Sequence, residues 1–297
     1  MNAGVYQSKE YLSALNEAGE KIVDVSQGFF CIEKTISLPF LGKKKILEGR
    51  GNSSNEDLAK LKKISTEYYY STVAPCIIGY SDKNFNNAGF KKVENYTILV
   101  DLSKNEEELW KAMDKGSIRW GVNSAKKNGL KFGIVENDLI LEEFYKMYEE
   151  TAVSGNFRPE KLEFVKRLTK TDIAKLFFVK KDGKVVAGGM ILIDKYNKYS
   201  ILDLTSVSEE GMKLQAMPFL YWNLILYSKS IGLNYFDLGG YDKEAKEGEK
   251  TWNINKFKER FGGEVKMQPI YASNWKYGFF RAILRRFRFM KGGYKKE

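Results

Sequence analysis

The sequence predicts a mixed α/β fold built from two halves of similar length. The chain has 297 residues, and 43% of them are hydrophobic, which is enough for a sizeable core in one large domain or two ordinary ones. Alternating apolar runs typical of strands recur along the chain, and segments with helical spacing lie between them. Because the two halves contain similar elements, the sequence permits two related domains.

In the first half, strands are predicted near residues 21–36, 44–48, 74–80 and 96–101, with a helix near residues 55–69. A helical block follows over residues 101–131. Ser103 and Glu106 have the spacing of a capping box, and the acidic residues that follow suit the positive end of a helix dipole. We expect Gly116 to interrupt this block and Gly129 to end it.

The second half has a clearer pattern. It predicts helices near residues 139–152 and 159–169, strands near 174–180, 185–193 and 198–207, then a helix, a strand near 234–238, a helix near 252–261 and a strand near 264–272. Asp182 and Gly183 predict a hairpin turn between the first two of these strands. Pro218 is expected to open the next helix as its first residue, and Gly232 to close it.

The charge balance restricts the partners and the chemistry. Lysine and arginine number 49 and acidic residues 38, so the net charge is +11, which attracts nucleic acid, nucleotide phosphates or an anionic membrane face. A lysine-rich solvated surface is the alternative. The chain has no histidine, which excludes Ser-His-Asp and Cys-His catalysis and any histidine base or metal site.

The two cysteines, Cys31 and Cys76, are too few for a disulfide framework or a structural zinc site. No apolar run reaches the ~18 residues of a membrane-spanning helix, and residues 1–20 do not have the pattern of a secretory signal. We therefore expect a reduced, cytoplasmic protein that uses no metal and no organic cofactor.

Two segments carry motifs beyond composition. Residues 97–132 read TILVDLSKNEEELWKAMDKGSIRWGVNSAKKNGLKF, and residues 233–265 read LNYFDLGGYDKEAKEGEKTWNINKFKERFGGEV. Between them lie LFFVKKDGKVVAGGMIL and EEGMKLQAMPFLYWNLILYSKSIG. In order and spacing, these segments resemble the Fem family of aminoacyltransferases, which use aminoacyl-tRNA to build cross-bridges in bacterial peptidoglycan precursors. The resemblance covers about residues 85–270 and is loose over the first 80.

The resemblance implies two GNAT-like domains with mixed β-sheets flanked by helices, and a substrate cleft between them or on the second domain. We place a reduced first domain at residues 1–132 and a second domain, ending in a basic helix, at residues 133–297. The implied partners are an aminoacyl-tRNA donor and a nucleotide- or lipid-linked cell-wall precursor. The helical hairpin with which some family members engage tRNA has no counterpart in this sequence.

Lys258 is the first candidate for catalysis. Acyl transfer to an amine requires stabilisation of an oxyanion and a leaving group, for which a well-placed cation suffices. In the resembled family, the lysine of the pair Phe257-Lys258 lies at the aminoacyl end of tRNA and stabilises the developing charge. Phe257 is expected to stack on the terminal adenine. The alternative is a surface lysine on a helix whose Phe257 and Phe261 belong to the core.

Two aspartates lie in otherwise apolar strands, where an unpaired acid is costly. Because the chain has no histidine, the base must be an Asp, a Glu, a tyrosine, water or the substrate itself, and among these we predict Asp203. Asp237 precedes Gly239, Gly240 and Tyr241, and these four residues are predicted to bind substrate. For Asp237 the alternative is a structural cap on the following turn.

Basic residues supply candidate phosphate sites. Arg158 is predicted to lie where a helix opens, so that its guanidinium and backbone N–H groups share a phosphate; the family carries an arginine near this place that binds the precursor's diphosphate. Arg50 and Lys44 belong to GKKKILEGRGNS, whose glycines permit close backbone approach to phosphate. An ordinary basic hairpin is the alternative for the latter pair.

Arg119, Lys126 and Lys127 on the linking helix, together with Arg285 near the C-terminus, are the predicted nucleic-acid contacts; a solvated helix face is the alternative. The stretch 278–290 is amphipathic, with arginines on a different face from its apolar residues. Such a helix is expected either to lie on an anionic membrane surface as a peripheral contact or to contact tRNA. The alternative is a docked terminal helix with a basic outer face.

Two other functions stay open. An acyl-coenzyme-A-dependent N-acyltransferase acting on a surface sugar or peptide would share the GNAT fold, but it usually carries a glycine-rich pyrophosphate loop before the helix at Pro218. Here that segment reads GMKLQAM, in which Gly211 is the one glycine. A non-catalytic protein that binds RNA or membrane is the second alternative, and it predicts that changing Lys258 affects binding only.

Overall fold

The computed structural model describes residues 4–38, 41–77, 80–155 and 157–283. The chain divides into two compact units: Met1–Tyr96 with Asp242–Asn253 and Met267–Glu297, and Thr97–Tyr241 with Ile254–Lys266. This division differs from the predicted boundary at residue 132. The strand and helices after residue 96 bury their apolar residues in the core of the second unit. The last described strand instead pairs within the sheet of the first unit.

The described elements follow in chain order: α1 (Lys9–Glu17), β1 (Lys21–Ser26), β2 (Phe29–Leu38), β3 (Gly42–Arg50), α2 (Asn55–Ile64), β4 (Ser71–Ala74), α3 (Asp82–Asn87), β5 (Lys91–Val93), β6 (Tyr96–Asp101), α4 (Glu106–Ala112), α5 (Trp120–Lys127), β7 (Lys131–Ile134), α6 (Asp138–Gly155), α7 (Leu162–Thr169), β8 (Ala174–Lys181), β9 (Lys184–Asp194), β10 (Tyr199–Val207), α8 (Glu209–Lys213), α9 (Ala216–Ser230), β11 (Tyr235–Tyr241), α10 (Lys250–Glu259), β12 (Glu264–Met267) and β13 (Ile270–Ala272). A π-helical turn, Lys115–Arg119, joins α4 to α5. None of the described helices combines the length and apolar character needed to cross a membrane.

The first unit contains a sheet with the described strands in the order β1-β2-β3-β4-β13-β5. Strands β1 to β3 form an antiparallel meander, and α2 then crosses to β4, which lies parallel to β3. Leu58 and Leu61 of α2 and Phe85 of α3 pack with Leu47 and Val73 of the sheet. This succession of meander, helix and parallel strand positions the end of β3 beside the start of α2.

The second unit repeats the same succession. Its described strands have the order β12-β6-β11-β10-β9-β8-β7, with an antiparallel meander over β7 to β10 and the helix α9 leading to β11, which lies parallel to β10. Apolar residues of α5 and α9 cover one face of this sheet. The predicted fold class, a mixed α/β fold with two mixed sheets flanked by helices and a GNAT-like arrangement, is confirmed.

Local signals account for several boundaries. Asp182 and Gly183 both have positive φ, 48° and 86°, as a two-residue hairpin of the predicted kind requires. The capping box of α4, however, is formed by Asn105 and Glu108 rather than by Ser103 and Glu106. The reason is that the Asp101 carboxylate accepts a hydrogen bond from the Ser103 N–H and holds it in the preceding turn.

Three other boundaries differ from the prediction. Helix α9 begins at Ala216, so Pro218 is its third residue rather than its first. The predicted strand 21–36 is a hairpin of β1 and β2, turned at Gly28 with φ 89°. The predicted strand 264–272 is two strands in different sheets, interrupted by Pro269, whose nitrogen has no hydrogen to donate to a ladder.

Candidate active site

An opening between β10 and β11 forms the centre of the candidate site. The two parallel strands pair only where Tyr199–Ile201 faces Tyr235–Asp237, although β10 continues to Val207 and β11 to Tyr241. A bulge between Leu202 and Leu204 redirects β10 at the point where pairing stops. Backbone groups beyond this point lie at the carboxyl ends of parallel strands, where ligands bind in open α/β sheets.

Asp237 lies at the last paired position of β11 and is 1% exposed. Its Oδ1 accepts hydrogen bonds from the Gly239 N–H, at 2.7 Å, and from the Thr97 hydroxyl of the neighbouring strand β6. Burial raises the pKa of Asp237, and these two hydrogen bonds with the positive charge of Lys258 act in the opposite direction. Asp237 therefore fixes the turn of β11 at Gly239, where φ is 78°, and supplies negative charge below Lys258.

Lys258 projects from α10 toward this turn. Its Nζ donates a hydrogen bond to the Gly240 carbonyl oxygen at 2.9 Å, and a Cβ built on Gly239 would lie 3.6 Å from the same nitrogen. The side chain is half-buried. Burial lowers the pKa of Lys258 to about 8, partly offset by the charge of Asp237. At neutral pH the ammonium therefore stays mostly protonated in a place where water screens it weakly.

Glu259 links α10 to the end of β11 through a hydrogen bond. One of its carboxylate oxygens accepts from the Tyr241 hydroxyl at 2.7 Å, and the other accepts from Lys256 Nζ at 2.7 Å. The hydrogen bond to Glu259, together with burial, raises the pKa of Tyr241 to about 12. Tyr241 is therefore neutral at physiological pH, and its role here is to hold the helix that carries Lys258.

The structure thus brings together five of the predicted residues: Lys258, Asp237, Gly239, Gly240 and Tyr241. Sequence reasoning missed two further members, Thr97 and Glu259. Thr97 opens the first quoted motif and Glu259 follows Lys258 directly, so both lay within the segments that suggested the site. The Thr97 contact, however, depends on β6 lying beside β11, and the Glu259 contact depends on α10 packing against the end of β11; residue spacing reveals neither.

A cavity of about 350 Å³ lies beside the first turn of α9. It is lined by Gly116, Ser117, Ile118, Trp120, Met212, Gln215, Met217, Pro218, Phe257 and Arg260. Phe257 lies in α10 and Arg260 directly follows that helix, but the lining does not include Lys258 itself. The Phe257 ring also contacts Tyr221 and Phe261, each at 5.2 Å, so Phe257 is both a core contact and a wall of the cavity.

The first turn of α9 is packed against α5. A Cβ on Gly121 would lie 2.9 Å from Pro218 Cγ and 3.2 Å from Gln215 Oε1. Gly211, the glycine before α9, lies so close to the Val186 carbonyl oxygen that any Cβ would overlap it. The glycine of this segment therefore serves the packing of α8 on β9, rather than forming an open phosphate-binding loop.

Asp203 lies at the bulge of β10 and is half-buried. Burial raises the pKa of Tyr148 on α6 to about 12, and the charge of Asp203 contributes to this shift. This places Asp203 close to α6. Its role as general base stays a prediction.

Arg158 is exposed in the loop between α6 and α7. The predicted helix start at residue 159 is wrong, because α7 begins at Leu162 with Lys161 as its N-cap. The preceding Phe157 packs on Tyr148 with ring centroids 6.0 Å apart. Arg158 therefore does not share a helix N-terminus with backbone donors, and only its guanidinium is available to a phosphate.

The remaining basic candidates are distributed over both units. Lys126 and Lys127 are exposed on α5, and Arg119 is half-buried with an Nε that has no partner among the described residues. In the first unit, Lys44 is half-buried in β3, and Arg50 ends that strand with its guanidinium 5.2 Å from the Tyr6 ring. Arg285 lies outside the described residues, as does the end of the predicted C-terminal helix.

Comparison with known proteins defines the class. A family model for the acetyltransferase (GNAT) domain matches residues 115–247, which include β10, α9 and β11. Residues 115–247, most of which lie in the second unit, are therefore similar to a GNAT acetyltransferase domain. No curated protein matches the chain significantly.

Three solved structures share the fold over most of the chain. FemX has 14% identity and a TM-score of 0.67, with 94% of each chain covered. The C-terminal domain of a protein assigned as a lysylphosphatidylglycerol synthetase from Agrobacterium fabrum has 14% identity and a TM-score of 0.65, with 94% of this chain and 91% of that chain covered. L-PGS from Bacillus licheniformis has 14% identity and a TM-score of 0.60, with coverage of 88% and 86%. At these identities the likeness is one of fold.

Proposed function

We propose that this protein is a tRNA-dependent aminoacyltransferase that moves an amino acid from aminoacyl-tRNA to an amine of a peptidoglycan or surface-glycan precursor. The observation that carries the proposal is the half-buried Lys258 ammonium, held at the separation of β10 and β11 by the Gly240 carbonyl and by the charge of Asp237. Lys258 belongs to the FKER motif that resembles the Fem family, and FemX shares the fold.

The chemistry requires a cation rather than a covalent intermediate. The acceptor nitrogen attacks the ester carbonyl carbon, the bond from that carbon to the ribose oxygen breaks, and the leaving oxygen takes a proton. A protonated Lys258 stabilises the negative charge that develops on the carbonyl and leaving oxygens, an effect worth about 3–4 kcal/mol for one well-placed donor. Because this ammonium is half-buried, water screens its charge less than at the protein surface.

The cavity beside α9 suits the end of a nucleic-acid donor. Trp120, 56% exposed, and Phe257 provide aromatic walls on which a base can stack. Arg260 supplies a guanidinium for a phosphate at the same cavity. Further along the backbone of the donor, the exposed Lys126 and Lys127 of α5 provide positive charge.

The acceptor is assigned to basic and polar groups of the first unit. Arg50 is followed by Gly51, with φ 101°, and by Ser53, whose buried hydroxyl has no partner among the residues described. These groups lie in the turn before α2, whose first N–H groups are capped by Ser54 and Asp57, so an anion would be held by the Arg50 guanidinium and the Ser53 hydroxyl. We assign them, with Lys44, to the phosphates of a nucleotide- or lipid-linked precursor. Arg158, in the second unit, is proposed separately as a phosphate contact.

One alternative has an observation in its favour. The family model that matches residues 115–247 is described as an acetyltransferase, which supports an acyl-coenzyme-A-dependent N-acyltransferase. Against it, Gly211 is occupied in packing, and Gly121 of α5 lies against the first turn of α9. The segment before α9 lines the cavity with Met212 and Gln215 rather than with glycines, so it offers no glycine-rich backbone for a pyrophosphate.

We expect acetyl-coenzyme A to show no binding at micromolar concentrations in isothermal titration calorimetry. The reason is the packing of α5 on the N-terminal turn of α9, which leaves no glycine-lined cradle for the pyrophosphate. A micromolar dissociation constant would favour the coenzyme-A alternative. Titration of a short RNA ending in CCA serves as the comparison, since the proposal expects that ligand to bind.

Asp237→Asn is expected to move the alkaline loss of activity to lower pH. The carboxylate raises the pKa of Lys258 above the value that burial alone would give. Asparagine keeps an oxygen that can accept from the Gly239 N–H and the Thr97 hydroxyl, but it removes the charge. Lys258 should therefore lose its proton below pH 8. The measurement is the transfer rate of both proteins from about pH 6 to 9, and coincident profiles would show that Asp237 does not act on Lys258.

The proposal is tested by single-turnover transfer with purified components. Aminoacyl-tRNA labelled in the amino acid is mixed with the protein and a nucleotide- or lipid-linked precursor, and labelled acetyl-coenzyme A replaces it in a parallel reaction. The proposal expects label in the precursor only from aminoacyl-tRNA. Label from acetyl-coenzyme A alone supports the acyltransferase alternative, and binding without transfer of either label supports the non-catalytic one.

A further inference from the structure

The helical segment formed by residues 276–283 has one face packed on the first unit. The Tyr277 and Phe280 rings lie 5.3 and 5.9 Å from the ring of Tyr70, which is 1% exposed. The Arg281 guanidinium donates to the Glu94 carbonyl oxygen at 2.9 Å. This part of the predicted C-terminal helix is therefore docked, and its inward side is not available to a partner.

The outward side carries two large aromatic residues. Trp275 is 61% exposed and Phe279 is 45% exposed, and their rings meet edge to face with centroids 5.9 Å apart. Residues four positions apart in a helix lie on the same side. Trp275 and Phe279 thus form a continuous apolar ridge, which we call the aromatic ridge. Exposing such a pair to water is unfavourable unless a partner covers it.

Basic residues accompany the aromatic ridge in the sequence. Lys276 lies beside Trp275, with its Nζ 4.9 Å from the Tyr69 ring. The sequence after residue 283, LRRFRFMKGGYKKE, contains six basic residues and one acidic residue. An apolar ridge of tryptophan and phenylalanine beside basic residues is the composition with which interfacial helices bind anionic membranes.

We propose that the aromatic ridge docks the first unit on an anionic lipid surface. The indole of Trp275 is suited to the boundary between headgroups and acyl chains, where one edge is apolar and the N–H stays hydrated. The edge-to-face contact still leaves ring faces on which nucleic-acid bases can stack, so tRNA binding is measured in the same variants. The inference does not depend on the proposed reaction.

The test is co-sedimentation of the purified full chain with vesicles. Vesicles of phosphatidylglycerol mixed with phosphatidylcholine should bind the protein, and pure phosphatidylcholine should bind it much more weakly. Trp275→Ser combined with Phe279→Ser should lower the partition coefficient on anionic vesicles by about tenfold or more, since interfacial binding scales with buried apolar area. Tyr196→Ser is the matched control, because Tyr196 is an equally exposed aromatic residue (67%) in the second unit.

Two further readouts decide the outcome. Brominated phosphatidylglycerol quenches the fluorescence of tryptophans that lie close to it. Trp275→Phe keeps an aromatic ring in the aromatic ridge, so this variant should still bind the vesicles. The lipid should nevertheless quench less of its tryptophan fluorescence than of that of the wild type. Filter binding of tRNA should be unchanged in the double variant. Equal vesicle binding by the double variant and wild type overturns the proposal, and so does lost tRNA binding with vesicle binding intact, which would assign the aromatic ridge to nucleic acid.

Discussion

Lys258→Met is expected to lower the single-turnover transfer rate by about 10²–10³-fold, the factor that corresponds to the 3–4 kcal/mol of one oxyanion-stabilising group. Lys258 projects its ammonium toward the opening between β10 and β11, and the chain has no histidine to take its place. The nearby Lys256 is paired with Glu259, so its charge is already partly neutralised. The loss should therefore be large, though not complete.

Methionine preserves the apolar stem of the lysine, so a purely structural role would survive the change. Lys250→Met is the control. Lys250 is exposed on the same helix, so this substitution removes one positive charge without changing the turn at Gly239. A transfer rate equal to that of the wild type would reject Lys258 as the catalytic cation. The same conclusion follows if thermal melting shows that the variant loses activity only because it unfolds.

The pH dependence distinguishes a cation from a base. The pKa of Lys258 is lowered to about 8, so the ammonium is present below that pH and is lost as pH rises through it. Arginine stays charged over this range. If Lys258 acts as a cation, the rate of wild type divided by that of Lys258→Arg should fall above about pH 8. If Lys258 acts as a base, the same ratio should rise. Titration of the acceptor amine affects both proteins equally and therefore cancels in the ratio.

Gly211→Ala is expected to lower the free energy of unfolding by about 2–4 kcal/mol. An alanine Cβ would overlap the Val186 carbonyl oxygen and lie 2.9 Å from Val207 Cγ2. Backbone atoms of β9 are held on both sides by β8 and β10 and have little room to move. The α8 helix would therefore have to shift away from the sheet. Urea unfolding measures the change as a lower midpoint at an unchanged slope.

Gly278→Ala is the matched control for this substitution. No atom lies within 4 Å of a Cβ built at Gly278, and the residue is in a helical segment. Alanine there should change stability by less than about 1 kcal/mol, and in the stabilising direction. If Gly211→Ala proved as stable as the wild type, the packing of α8 on β9 would not require a glycine at this position. Gly211 would then be available to form part of a pyrophosphate-binding loop.

The second half of the fold was predictable because its strands are long and apolar and its turns carry strong local signals. Asp182-Gly183 is an example, since both residues adopt the positive φ that the hairpin needs. Short elements were missed: β5 and β7 have three and four residues, too few for a periodic pattern. The return of β13 to the sheet of the first unit was also hidden, because pairing partners distant in sequence leave no local signal.

The motifs were enough to propose Lys258 and Asp237 as candidates. The lowered pKa of Lys258, however, depends on burial by surroundings that the sequence does not specify. The bond between Thr97 and Asp237 joins residues on strands that become neighbours only in the folded sheet. Arg158 was misplaced because Pro159 suggested a helix start, whereas the chain stays extended through Lys161.

Mass spectrometry of cell-wall and surface-glycan precursors shows directly whether the protein transfers an amino acid to one of them. Nucleotide- and lipid-linked precursors are extracted from cells with the gene, without it, and with a Lys258→Met copy. Transfer from aminoacyl-tRNA predicts a precursor heavier by one amino-acid residue that is present only with the intact gene and strongly reduced with the variant. A precursor heavier by an acetyl group, or identical precursor masses in all three strains, would contradict the proposed function.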